Sequence, residues 1–393
     1  MTPAARLQAA IELVDAVAEA ARTAGPAADT LIARYFKTRR YAGSGDRRAV
    51  RELVFAAIRR SGEPPASGRA ALLGLASERE ELLPLFDGSA HGAAPIGESE
   101  AGAPRAIAPA WLLERFDPLI AADEWPTLLE RAPLDLRVNA LKASREQAMA
   151  LLPEAEPTPL SPLGLRLPDG HRVEDSEAWA SGLVEVQDEG SQLICLACEA
   201  AFGTLVVDLC AGAGGKTLAL AAEMGGEGHI LACDTDRARL TRMGPRLERA
   251  GIGIVEPRLL DPGREAEALA DLAGKADLVL VDAPCSGTGT WRRNPETRWR
   301  VSPDRLDRLT ALQAQLLDLG ANLLKPGGHL VYAVCSLLAE EGRDQAAALA
   351  ARSSLVPVPL AIEAGREAGS GRLLSPAQDG TDGFFVARWQ RPC

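Results

Sequence analysis

The chain is poor in aromatic residues, which fill only 4% of its 393 positions, so its cores must be built chiefly from Leu, Val and Ala. It has no run of about 18 uncharged apolar residues, which excludes a transmembrane helix. Its four histidines, His91, His171, His229 and His329, are scattered without metal-binding spacing. A lone pair, Cys195 and Cys198, has no second pair to complete a zinc site, so no metal is expected. Basic charge is also short. The balance of 43 Lys and Arg against 54 Asp and Glu leaves a net charge of −11, which argues against a surface coated all over in positive charge but leaves a local basic face open. Glu12, Asp15 and Glu19 interrupt the apolar N-terminal stretch, against a signal peptide. Seven cysteines, an odd number, suit a reducing cytoplasm better than a disulfide framework. The expected setting is cytoplasmic, without a membrane partner, and with a monomer as the default. What remains, 47% hydrophobic and 25% charged, is the composition of a folded protein of two or three domains.

The N-terminal part reads as helices. Leu7, Ile11, Val14 and Ala18 keep helical spacing up to Gly25-Pro26, and Leu31, Ile32, Tyr35 and Phe36 mark a second helix. Asp46 caps a third with the stripe Val50, Leu53, Val54, Ala57 and Ile58. Between Arg34 and Arg60 stand nine Lys or Arg against Asp46 and Glu52, a pattern equally suited to a solvated face or to phosphate contacts. A helical segment is therefore expected over residues 1–60. Over 61–109, thirteen of 49 residues are Gly or Pro and periodicity fades, which reads as a connector holding a short helix around Ala70 to Leu83. Residues 110–186 give strand, helix, strand, strand: Leu134 to Asn139, Ser144 to Leu152, Leu163 to Leu167 and Leu183 to Val186, a small α+β subdomain.

Residues 187–393 carry the chemistry. Thr204 to Cys210 is a buried-strand run that turns through Ala211-Gly212-Ala213-Gly214-Gly215-Lys216-Thr217 into an Ala-rich helix. The next strand, His229 to Cys233, ends in Asp234. Strand, glycine turn, helix, strand and terminal acid form the first unit of a doubly wound, Rossmann-like α/β sheet, in which glycines admit a ligand to the backbone and the acid accepts ribose hydroxyls. A P-loop needs glycine where Cys210 stands, and the dinucleotide fingerprint is broken at Thr217. S-adenosylmethionine, which needs no pyrophosphate cradle, is the ligand left. Asp261 follows the third strand, Asp282 ends the fourth before Ala283-Pro284-Cys285-Ser286-Gly287, and Cys335 ends the fifth, His329 to Val334. In such sheets ligand and chemistry gather at the carboxyl ends of the strands.

These runs, Asp208 to Thr217, Asp282 to Gly287 and Val331 to Ser336, resemble the Sun/RsmB family of RNA cytosine-5 methyltransferases. The likeness extends over Leu134 to Trp389 and takes in Leu136-Arg137-Val138-Asn139 and Asp379 to Phe385. The helical start is similar in placement to the family's NusB-like RNA-binding domain. The resemblance implies a class I methyltransferase fold. It also implies transfer of a methyl group to carbon 5 of a cytosine, most often in small-subunit ribosomal RNA. Cys335 would then be the nucleophile and Cys285 would assist release, with Asp282 on the ring's nitrogen edge. Backbone over Cys210, Ala211, Gly212, Ala213, Gly214, Gly215 and Lys216 would hold the cofactor, with Asp234 on the ribose and Asp261 near the adenine. Two positions depart from the family pattern, Val334 where Thr is usual and Ala213 where Pro is common.

Trp291-Arg292-Arg293 and Arg298-Trp299 follow the Pro-Cys turn and mix cations with rings, as proteins holding flipped or single-stranded bases do. Trp291, Arg292, Arg293 and Arg298 are the expected RNA contacts. The rivals are a transfer RNA methyltransferase, a DNA cytosine-5 methyltransferase with its nucleophile at Cys285, and a ribosome-assembly RNA-binding protein with vestigial catalysis. An amino-methyltransferase is disfavoured, because Asp282-Ala283-Pro284-Cys285 lacks the stacking aromatic of such turns.

Overall fold

The computed structural model describes residues 1–23 and 25–393, and no helix among them is long and apolar enough to cross a membrane. The chain divides into two compact units. One comprises Met1–Phe116, Ala121–Glu130 and Ser286–Pro303, and the other Asp117–Ile120, Arg131–Cys285 and Asp304–Cys393.

The first unit is helical. Helix α1 (Pro3–Arg22) starts at Thr2, whose hydroxyl accepts the Ala5 N–H at 3.2 Å, with Pro3 in the first turn, where its missing N–H costs nothing. Leu7, Ile11, Val14 and Ala18 share one core with Ile32 and Phe36 of α2 (Ala28–Lys37) and with Val50, Val54 and Ile58 of α3 (Ser44–Arg60). The stretch expected to be a connector is folded into this core. Helix α4 (Gly68–Ala76) contributes Leu72, Leu73 and Leu75, and the expected continuation to Leu83 is instead a 3-10 turn, Glu80–Leu85. A Cβ at Gly68 would lie 2.0 Å from the Ile11 carbonyl oxygen, and the Gly68 N–H donates to Asp15 at 2.6 Å. The glycines here allow helices and chain to touch, so a composition that suggests looseness serves close packing.

The second unit opens with a four-stranded antiparallel sheet: β1 (Leu134–Val138), β2 (Glu156–Pro157), β3 (Gly164–Leu167) and β4 (Val184–Val186), ordered β2-β3-β1-β4. Leu136, Val138, Leu165 and Val184 fill its core. The main sheet contains β5 (Leu205–Asp208), β6 (His229–Asp234), β7 (Val255–Leu259), β8 (Ala276–Asp282) and β9 (Leu324–Val334), all parallel. It continues through β10 (Val356–Pro357), β11 (Arg366–Ala368), β12 (Gly371–Leu374) and β13 (Phe384–Gln390), the last antiparallel to β9. The order is β11-β12-β13-β9-β8-β5-β6-β7, with β10 added on β13. This is the Rossmann-like class I methyltransferase sheet, and its strand order reverses at β5 between β6 and β8. Near-continuous apolar runs such as Val279, Leu280 and Val281 suit strands covered on both faces.

The small sheet is tied to the large one by its own motif residues. Arg137 donates to the Gly215 carbonyl at 3.1 Å, and Asn139 donates to the carbonyls of Gly182 and Ala250 at 3.1 and 2.9 Å. Glu185, also buried, pairs with Arg246 and Arg249.

Candidate active site

The glycine turn leaves β5 at the switch point. Gly212 and Gly214 have φ of +58° and +85°, a region that side chains with a Cβ rarely adopt. A Cβ at Gly214 would press to 2.7 Å from Met243, so glycine lets the turn lie on the helix Arg237–Ala250. At Gly212 and Gly215 a Cβ would meet nothing within 4 Å. These two positions leave open space at the amino end of the helix Gly215–Glu223, where backbone N–H groups converge. Asp234 ends β6 beside this space, accepting the Gly212 N–H at 2.8 Å and the Asp236 N–H at 2.7 Å. Leu260 donates to the Asp234 carbonyl at 2.9 Å, and Asp261, exposed, follows directly. An open cradle with an acid at its rim fits S-adenosylmethionine, whose amino-acid part needs backbone donors and whose ribose needs an acceptor.

Below the turn, Asp208 is buried and accepts the Thr217 hydroxyl at 2.8 Å. Burial pushes its carboxyl up to about 7, helped by the neighbouring Asp282 and opposed by the Thr217 hydrogen bond. Cys210 is pushed well above the ordinary thiol range by burial and by the carboxylates of Asp208 and Asp282, so it stays a neutral thiol. Lys216 reaches Asp282 at 2.6 Å and stands 5.5 Å from the Phe384 ring. Burial, the largest single influence, works against its charge, but attraction and hydrogen bonding to Asp282, together with smaller contributions from neighbouring groups, hold the ammonium above its usual range.

Adjacent strands deliver the two cysteines. In the β8–β9 ladder Asp282 lies opposite Ala333, and the next residue, Ala283, still donates to the Ala333 carbonyl at 2.9 Å. That shared register brings the sulfurs of Cys285 and Cys335 to 3.3 Å, both half-buried. Cys195 and Cys233 are buried, with thiols pushed up to about 12 by desolvation, and Cys198 is likewise raised. These three are core residues. No cluster of three or more metal-ligating side chains occurs among the described residues.

The structure corrects most of the expected RNA contacts. Trp291, Arg292 and Arg298 are buried in the helical unit. Arg298 donates to the carbonyls of Ile58, Arg59 and Ser61 at the carboxyl end of α3, where helical pairing of main-chain oxygens runs out. Trp299 joins it with an N–H to Ser61 at 2.8 Å, and Trp291 packs on Phe116 with ring centroids 5.8 Å apart. A guanidinium that suits phosphate oxygens suits carbonyl oxygens equally. Arg293 is half-buried and is the one candidate of the four that keeps access to solvent.

Sequence reasoning also passed over a buried polar group beside the cysteines. Glu341 accepts the Ser336 hydroxyl at 2.6 Å and the Gln313 amide at 3.0 Å, and the same amide donates to the Pro284 carbonyl at 3.0 Å. A signal was available, because Gln313 interrupts the buried stripe Leu306, Leu316, Leu317, Gly320 and Leu323 of the helix Pro303–Leu323.

Residues 196–390 match the family described as 16S rRNA methyltransferase RsmB/F. Among curated proteins, the chain is 35% identical over 294 residues to the ribosomal RNA small subunit methyltransferase B of Salmonella typhi. The match takes in 72% of this chain and 66% of that protein, so the chain spans a little under two thirds of the length of this relative. Among solved structures, the crystal structure of PH0851 is similar at a TM-score of 0.76 and 25% identity, covering 100% of this chain and 99% of that one. A methyltransferase homolog protein from Pyrococcus horikoshii is similar at a TM-score of 0.63 and 26% identity, with 72% and 94% covered.

Proposed function

We propose, from the premise that the chain belongs to the 16S rRNA methyltransferase RsmB/F family, that it transfers a methyl group from S-adenosylmethionine to carbon 5 of a cytosine in small-subunit ribosomal RNA. One observation carries the cytosine-5 reading: two thiols 3.3 Å apart at the ends of neighbouring strands, beside a lysine–carboxylate pair. Carbon 5 of cytosine is a poor nucleophile, and amino- or hydroxyl-methylation has no use for a thiol pair at this point.

In this reading Cys335 adds its sulfur to carbon 6 while its proton goes to the ring nitrogen N3, which turns the ring into an enamine with electron density on carbon 5. Asp282 accepts the new N3–H, with the Lys216 ammonium hydrogen-bonded to the same carboxyl group at 2.6 Å. The backbone of Cys210 to Lys216, with Asp234 and Asp261, holds the cofactor. Bound there, S-adenosylmethionine supplies an electrophilic methyl on its sulfonium. Cys285 assists release. Once a general base takes the carbon 5 proton, its bonding pair re-forms the carbon 5–carbon 6 double bond and expels the Cys335 sulfur as thiolate, which regains its proton from N3. Docking of the RNA is supported by the exposed cations Arg34, Lys37, Arg40, Arg47 and Arg48 on and around α2 and α3, with Tyr41 exposed among them, and by Arg293.

The test is bisulfite sequencing of small-subunit ribosomal RNA from cells with and without the gene, repeated with unmodified 30S RNA, purified protein and S-adenosylmethionine. A protected cytosine that disappears with the gene and returns in vitro is expected. Methylation at another atom, or none in either arm, overturns the reading.

A further inference from the structure

The two thiols sit on different turns, and neither turn is a regular element that fixes its own direction. Cys285 follows β8 and Cys335 closes β9. From the buried polar group beside them we infer that Gln313 and Glu341 are positioning residues, forming one clamp that sets the distance between the nucleophilic and the releasing sulfur. The inference rests on the two-thiol reading above.

The clamp is continuous. The Gln313 amide nitrogen spans the Pro284 carbonyl, one residue before Cys285, and Glu341 Oε1, each at 3.0 Å. Glu341 Oε2 takes the hydroxyl of Ser336, one residue after Cys335, at 2.6 Å, and Ser336 Oγ in turn accepts the Leu338 N–H at 3.1 Å. Tyr332, on β9 itself, donates from its hydroxyl to the Glu341 main-chain carbonyl at 2.6 Å and so anchors the clamp to the sheet. Gln313, Ser336, Tyr332 and Glu341 are each at 0% exposure. A buried carboxylate and amide in one network are costly to misplace, so they hold a single geometry. Apolar residues would fill this volume without directing either turn. Thiol addition and release both depend on sulfur placement within fractions of an ångström, which a rigid link between the two turns provides.

The test uses the full chain with Cys393→Ser, which removes the exposed thiol, and dibromobimane, an alkylator that fluoresces fully only when it bridges two thiols. Cys285→Ala sets the background. Gln313→Leu keeps the side chain's size and deletes its donor. Its bridging rate should fall about tenfold or more, while S-adenosylmethionine affinity by calorimetry stays within about twofold. In methylation assays kcat should fall with KM for RNA unchanged. Glu341→Gln, which keeps an acceptor for one partner only, should give an intermediate rate. Ser336→Ala supplies the same reading with a single hydroxyl removed, should either larger change prevent folding. Bridging at the parent rate in these variants overturns the inference, as does a loss of cofactor affinity in step with bridging, which marks general disorder. If bridging depends on Gln313 but the parent protein methylates no cytosine, the clamp stands and the functional reading falls.

Discussion

Two of the cations that folding withdraws from water, Lys216 and Arg298, are treated differently. In the catalytic unit Lys216 faces a carboxylate at 2.6 Å, and that partner holds its charge against the pull of burial. In the helical unit Arg298 faces main-chain carbonyls, with two of its nitrogens lacking a hydrogen-bond partner among the described residues. Burial and the neighbouring Arg59 push it down to about 9, against a small opposing effect of Glu296. Carbonyl dipoles are enough for Arg298 to fasten its segment to the end of α3 and Arg300 to the chain after α1, while Glu296 accepts the Ala28 N–H at the start of α2. In the proposed reaction Asp282 receives the ring N3–H, and Lys216 places a full counter-charge beside it. In the proposed function the same chemistry of burial serves architecture in one unit and reaction in the other.

The contrast breaks most easily at Lys216. Lys216→Met should lower methyl transfer about 100- to 1,000-fold, near 3–4 kcal/mol of barrier, while the urea midpoint moves little. A large loss of stability with turnover intact would make Lys216 structural after all. Arg298→Met should do the reverse, costing about 3 kcal/mol in urea denaturation because three carbonyls lose a charged donor, with cofactor affinity unchanged. The contrast sharpens at Asp208. Its folded pKa of about 7 lies above its ordinary 3.8, so its contribution to stability is complete below pH 4 and is lost as pH rises to 7. Asp208→Asn should remove about 1.4 kcal/mol per pH unit of slope in that window, and an unchanged slope would contradict the assignment. The smallest effect belongs to Arg300→Ala. It should cost about 1 kcal/mol through the lost bonds to Gly25 and Pro26, and a cost equal to that of Arg298→Met would erase the distinction between buried and half-buried anchors.

The catalytic sheet was legible because its signals are local. Apolar runs ending in Asp208, Asp234, Asp282 and Cys335 carry both the strand and its terminus, and the switch-point rule brings the ends together without any long-range detail. The segment from Trp291 to Arg300 was misread because Arg and Trp suit RNA and main-chain carbonyls alike, and only the tertiary structure decides which oxygens they meet. The stretch 61–109 was misread as a connector because glycine marks close approach as often as freedom, and Ile11, the residue against Gly68, lies far away in sequence. Gln313 occupied the middle case: its place in an apolar stripe announced a buried polar partner, but Glu341 and Pro284 could be identified only in three dimensions.

The most direct test of the account is the identity of the sulfur bonded to RNA. Ribosomal RNA containing 5-fluorocytidine blocks removal of a carbon 5 proton and so traps the adduct, which peptide mass spectrometry then locates. The account predicts a denaturation-stable complex on Cys335, none with Cys335→Ser, and accumulation on unmodified RNA with Cys285→Ala. An adduct on Cys285, or one that survives Cys335→Ser, would contradict it.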